Sequence, residues 1–136
     1  MKKLIFLSLV MFFSLSTWTW AASPLPIEDG EWEFTMESEV SGMPMKMPPS
    51  IYKQCLKKDN PVPQNNQPGQ ECMSKDVKIS GNKVTWKLQC KSQQGEMTGE
   101  GKATYQKESM QGTMTMHVQG MVMVTTYKGH RIGPCK

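Results

Sequence analysis

The chain has 136 residues and a formal net charge of +4, with lysines and glutamates interspersed and no basic stripe. That length allows one modest core, and a nucleic-acid reader would need a concentrated cationic face that is absent here. Four cysteines, an even number, are compatible with a disulfide framework if the chain is exported.

The N-terminus supports export. Lys2 and Lys3 precede a run from Leu4 to Leu15 that is apolar apart from Ser8 and Ser14. A positive n-region, an apolar h-region and small residues at Ala21 and Ala22 make a secretory signal peptide, too short for a transmembrane helix. Cutting after Ala21 places Thr19 at the third position before the cut, whereas cutting after Ala22 places bulky Trp20 there. The expected division is therefore a signal peptide over 1–21 and a single disulfide-stabilised β domain over 22–136. No cysteine lies near the cut, so no lipid anchor is expected. Loss of Lys2 and Lys3 lowers the charge from +4 to +2, because all twelve acidic residues lie beyond the cut. The mature part has no further long apolar segment. A periplasmic or secreted location follows.

From Glu31 the dominant period is two. Trp32, Phe34, Met36 and Val40 share one parity, and Glu31, Glu33, Thr35, Glu37 and Glu39 the other. That spacing predicts a half-buried strand with an acidic outer face. Residues 41–50 hold Gly42, Pro44, Pro48 and Pro49, which predict an irregular or extended segment. Ile51–Cys55 reads as a short strand, and Leu56–Glu71 as a polar loop with no core residue after Val62.

The remainder reads as a meander. Val77 and Ile79 point one way before a Gly81–Asn82 turn. Val84, Trp86, Leu88 and Cys90 form one face of the next strand. Met97, Gly99, Gly101, Ala103 and Tyr105 form the matching face of the one after. Met110, Gly112, Met114, Met116 and Val118 follow a turn at Lys107–Glu108. Gln119–Gly120 turns into a last full strand, Met121–Lys128. Opposing Leu88 to Gly99, Trp86 to Gly101 and Val84 to Ala103 sets each large residue against a small one. Opposing Gly101 to Met114 and Gly99 to Met116 repeats the rule. Glycines facing bulky side chains permit strong bending. The expected fold is all-β: a curved antiparallel meander sheet of about seven strands with two disulfides, either open or closed into a barrel.

Several strings in order resemble one bacterial family: Glu31-Trp32-Glu33, Gly42-Met43-Pro44-Met45, Tyr52-Lys53-Gln54-Cys55 and Gly69-Gln70-Glu71-Cys72. They continue with Ser80-Gly81-Asn82-Lys83-Val84-Thr85-Trp86, Cys90 and the closing Gly133-Pro134-Cys135. Over almost all of the mature chain this is similar to the exported proteins of domain-of-unknown-function family 3617. The resemblance implies an envelope or secreted β-protein and carries no ligand, cofactor or catalytic residue with it.

No catalytic constellation or metal-ligand set stands out, and no cofactor is expected. His117 sits on the outward parity of its strand, and His130 is expected beyond the last strand. Asp29, Asp59 and Asp76 fall at or near turns or strand ends. Without a nucleophile–base pair the chain is expected not to be an enzyme. No Cys-x-x-Cys occurs, so Cys55, Cys72, Cys90 and Cys135 read as structural. A ladder that pairs Val77 with Trp86 and Ile79 with Val84 would put Cys90 opposite Met73 and turn Cys72 outward. A Cys72–Cys90 bridge would then need the ladder to break. The favoured pairing is Cys55–Cys72 with Cys90–Cys135, ahead of Cys55–Cys90 with Cys72–Cys135.

Eleven methionines remain after Met1 and Met11 are removed. Met43, Met45 and Met47 alternate through the proline-rich segment and are the candidate binding residues. At least two of the three are expected to be substantially exposed, because the prolines keep the segment out of a sheet interior. They could meet an envelope partner or, as soft thioethers, Cu(I) or Ag(I). The leading expectation is a non-enzymatic binding or interaction module of the envelope, its partner an envelope protein or a small apolar ligand. Trp32, Phe34, Trp86, Tyr105 and the inward methionines either enclose such a ligand or fill the core solidly.

Overall fold

The computed structural model describes residues 25–64 and 68–136. The expected signal peptide and its cleavage site lie outside the described residues. Seven strands follow in chain order: β1 (Gly30–Val40), β2 (Ser50–Leu56), β3 (Gln70–Ser80), β4 (Lys83–Ser92), β5 (Gly95–Tyr105), β6 (Ser109–Val118) and β7 (Met121–Gly133). They form one antiparallel sheet in the order β2-β1-β7-β6-β5-β4-β3. The sheet curls into a half-barrel whose edges are β2 and β3.

The glycine register places curvature where the sequence expects it. Trp86 lies opposite Gly101, Leu88 opposite Gly99 and Val84 opposite Ala103. Gly101 and Gly99 in turn face Met114 and Met116. Each bulky inner side chain thus leans over a neighbour without a large one. The hairpins turn as their residues require: Gly81 has φ 61°, and Gln119 and Gly120 have φ 48° and 81°.

One end of the half-barrel is solid. Trp32, Phe34, Tyr105 and Leu56 are fully buried there, together with Ile27 and Val62 from outside the sheet. The segment from β2 to β3 runs from one sheet edge to the other, and the Tyr105 hydroxyl donates to the Pro61 carbonyl to hold it. Trp32 Nε1 donates to the Glu28 carbonyl at 3.1 Å, which draws the N-terminal segment over the same end.

Three expectations need correction. The last strand runs to Gly133, not Lys128, so His130 is inside it. Its extra residues find a partner in β1, where Trp32 pairs with Arg131 and Phe34 with Gly129, a contact that no local turn announces.

The β3–β4 ladder also departs from the regular one. Ile79 faces Val84 as expected, but the register shifts between Lys75 and Lys78, and Cys72 faces Cys90 directly. Asp76 provides the shift, with φ 51° in the left-handed region that aspartate tolerates better than most side chains. Asp76 therefore lies within a strand at a β-bulge, not at a turn or strand end.

The disulfides are accordingly Cys55–Cys135 and Cys72–Cys90, not Cys55–Cys72 with Cys90–Cys135. The bulge reverses the facing of residues 70–75, which removes the parity objection to Cys72–Cys90. Cys55 and Cys135 meet on the outer side because Glu31 of β1 pairs with Cys55 on one flank and Gly133 on the other. Their Cα atoms are 5.3 Å apart.

Candidate functional site

Among the described residues, none fills the concave face beyond the aromatic end. A cavity of about 440 Å³ opens between the two arms of the half-barrel. Its floor is thioether-rich: Met114 and Met116 on β6, Met123 on β7 and Met97 on β5, joined by Leu88 on β4. All five share the inward parity of their strands. Met116 faces Met123 directly across the β6–β7 ladder. Met36 closes the floor from β1.

The polar groups at the wall are uncharged. Ser38 Oγ and Thr125 Oγ1 share a hydrogen bond of 2.8 Å. The Tyr127 hydroxyl donates to Met114 Sδ at 3.7 Å. Ser50, Gln64, Gln70 and Ser74 stand along the sheet edges, and Ser74 Oγ is buried with no hydrogen-bond partner among the described residues. Among the described residues no Lys, Arg, Asp or Glu lines the space. Burial pushes the Tyr127 phenol up to about 12. It raises Tyr105 and Tyr52 further, the latter with a lesser contribution from the neighbouring tyrosines. These phenols stay neutral donors at any physiological pH.

The candidate methionines divide. Met43, Met45 and Met47 are 50%, 69% and 47% exposed, as the prolines require. The arm turns at Met43, whose N–H meets the Val40 carbonyl at 3.1 Å, and runs back beside β1 past the end of β2. Lys46 bridges to Glu39, and the Met47 N–H reaches the Ser38 carbonyl at 3.0 Å. Met47 and Pro48 join the cavity wall, whereas Met43 and Met45 do not. The aromatics expected around a ligand also do not line it. Trp32, Phe34 and Tyr105 pack against one another and Tyr52 in the solid end.

The histidines do not assemble a reactive group. His117 is exposed on the outer face. His130 lies between Glu33 and Ser109 in a cross-strand row. Its Nε2 is 4.0 Å from Glu33 Oε1, beyond hydrogen-bond length, and Ser109 Oγ donates to Gln106 instead. Among the described residues no cluster of His, Cys, Asp and Glu could hold a metal.

The sequence reading missed Ser74 and Gln70 as wall residues because it carried β3 through without a bulge. It also passed over Ser38 and Thr125, although both fall on the inward parity of β1 and β7.

A family model described as "Protein of unknown function (DUF3617)" matches residues 27–135. The chain belongs to this family. The DUF3617 match takes in all seven strands and all four cysteines, so the curled sheet, its two bridges and the cavity fall within the family region. No curated protein and no solved structure matches the chain.

Proposed function

We propose that this DUF3617 chain is an exported, non-enzymatic binding module of the bacterial envelope that holds a small, uncharged, largely apolar ligand on its concave face. The cavity carries the reading. Its volume falls within the roughly 300–1,000 Å³ of small-molecule sites, and apolar walls with a few placed polar groups are what such sites present. Methionine suits a wall that must adapt to its guest, since it is unbranched and polarisable. Two disulfides favour an oxidising compartment, which agrees with the Lys2–Leu15 signal pattern.

The uncharged dye Nile red tests the site. It is expected to bind saturably at one site per chain and to be displaced in Met123→Trp, where the indole takes up the ligand space. No saturable binding, or binding unchanged in a folded Met123→Trp protein, would remove the proposal. Export is tested by mass spectrometry of the processed protein, expected to begin at Ala22.

A second reading, Cu(I) or Ag(I) capture by Met43, Met45 and Met47, is favoured by the exposure of all three thioethers. Silver titration of the protein and of the variant with leucine at all three positions tests it. Equal affinity in both would eliminate a sulfur-specific role.

A further inference from the structure

The distribution of polarity around the cavity names a ligand class, resting on the proposed concave-face site. We infer that the occupant is an amphipath with one hydrocarbon chain and an uncharged, hydrogen-bonding head. The chain lies on the methionine floor, and the head lies at the seam between the sheet edges, anchored by Ser74.

Apolar and polar groups are segregated by strand. The central strands β5, β6 and β7 supply Met97, Met114, Met116 and Met123, which ask nothing of a hydrocarbon chain beyond contact. Apart from Ser38, Thr125 and Tyr127, whose hydroxyls are already bonded, the polar side chains collect at the two edges. Ser50 comes from β2, Gln64 from the crossing segment, and Gln70 and Ser74 from β3. A ligand lying across the cavity therefore meets apolar surface along one part and neutral donors and acceptors along the other.

The head must be uncharged. A carboxylate or phosphate drawn into this wall would lose its water and find no cation, because among the described residues no lysine or arginine lines the space. A hydroxyl, ester or amide would instead find partners among serine and glutamine. At about 30 Å³ per group, the share a water molecule takes in the liquid, 440 Å³ holds roughly fifteen non-hydrogen groups. That takes one twelve-carbon chain with its ester linkage, leaves the glycerol of a monoacylglycerol or the outer part of a larger dye at the open seam, and gives no room for a second chain.

Ser74 is the anchor because, of the other hydroxyls at the wall, Ser50 is exposed to solvent and the rest are engaged. Ser38 and Thr125 bond each other, and Tyr127 donates to Met114. Among the described residues Ser74 Oγ is left buried without a partner, a condition that proteins avoid unless something else supplies the bond. It is held in place by the bulge at Asp76 on one side and by the Cys72–Cys90 bridge on the other.

The test displaces Nile red from the full-length processed protein with 1-monolauroylglycerol and with laurate at pH 8, both below micelle-forming concentrations. Monolauroylglycerol is expected to compete at a concentration at least tenfold lower. Ser74→Ala is expected to weaken monolauroylglycerol by about threefold to tenfold, the effect of one lost hydrogen bond. Circular dichroism checks that Ser74→Ala stays folded, and its Nile red affinity is measured directly so that displacement converts to monolauroylglycerol affinity in each protein. Equal competition by laurate, or indifference of monolauroylglycerol to Ser74→Ala, would overturn the ligand class while leaving the cavity site standing. Failure of Nile red itself to bind would remove both.

Discussion

Gly101 offers the sharpest test of how the sheet is bent. A methyl group at this position would meet Trp86 Cε2, Cζ2 and Nε1, all atoms of one rigid ring. Trp86 is only 2% exposed and is packed within the core, so it has little room to swing away. Overpacking of this kind costs about 1–3 kcal/mol, and a ring with two torsions belongs in the upper part of that range. Alanine also lowers the entropy of the unfolded chain, which returns about 0.4–1 kcal/mol. Gly101→Ala is therefore expected to cost about 2 kcal/mol, a fall of about 8 °C in Tm for a domain of this size. The assay is urea unfolding of the wild type, Gly101→Ala, Trp86→Leu and the double variant. With leucine at position 86 the new methyl has space, and Gly101→Ala should become neutral or slightly stabilising. The coupling between the two sites is then about 2 kcal/mol. An equal cost of Gly101→Ala in both backgrounds would refute the account, because the penalty would then come from strand conformation and not from the indole.

Peptide mapping of the unreduced protein should recover Cys55–Cys135 and Cys72–Cys90. The bridges have sequence separations of 80 and 18 residues; loop-closure entropy makes them worth about 4.5 and 3 kcal/mol, so reduction should lower Tm by tens of degrees. Asp76→Val, a β-branched side chain that resists the φ of 51° at this position, should press out the bulge at unchanged strand length and turn Cys72 away from Cys90, which thiol titration of the folded protein would register as two free thiols where the wild type has none. Stability should be flat with respect to the tyrosines below pH 10 and fall above it. There the unfolded chain releases phenolic protons that the folded chain still holds, so the slope is negative, at about 1.4 kcal/mol per pH unit for each fully differing group. For Tyr127 that loss spans pH 10 to about 12, and for Tyr52 and Tyr105 it continues higher; chemical denaturation across this range measures it.

The four consecutive hairpin strands β4 to β7 were legible because each pairing is local and each face has a two-residue period. The small-opposite-large rule at Gly99, Gly101 and Ala103 then selected the register that the structure adopts. The pairing of β1 with β7 was not legible. It joins residues from opposite ends of the chain, and no turn chemistry reports on it. That one contact explains the longer β7, the placement of His130 within it and the approach of Cys135 to Cys55.

The site was half legible for a related reason. Inward parity identified the methionines, but parity cannot say whether inward residues touch one another or leave a space. The aromatic end is solid because Leu25, Ile27 and Val62 arrive from outside the sheet to fill it, and no described residue fills the methionine end in the same way. The character of that space depends on a single residue. Carried straight on from Ile79, β3 would turn Met73 and Lys75 inward, and the cavity wall would hold a cation. The bulge at Asp76 sends Lys75 outward, where its Nζ meets Gln89 Oε1 at 2.6 Å, and brings Ser74 and Cys72 inward in its place. The same insertion thus decides which cysteines bond and keeps the cavity neutral. The neutral wall and the Cys72–Cys90 bridge are consequences of one local choice of backbone, so a variant such as Asp76→Val that loses the bridge by pressing out the bulge should also begin to accept laurate.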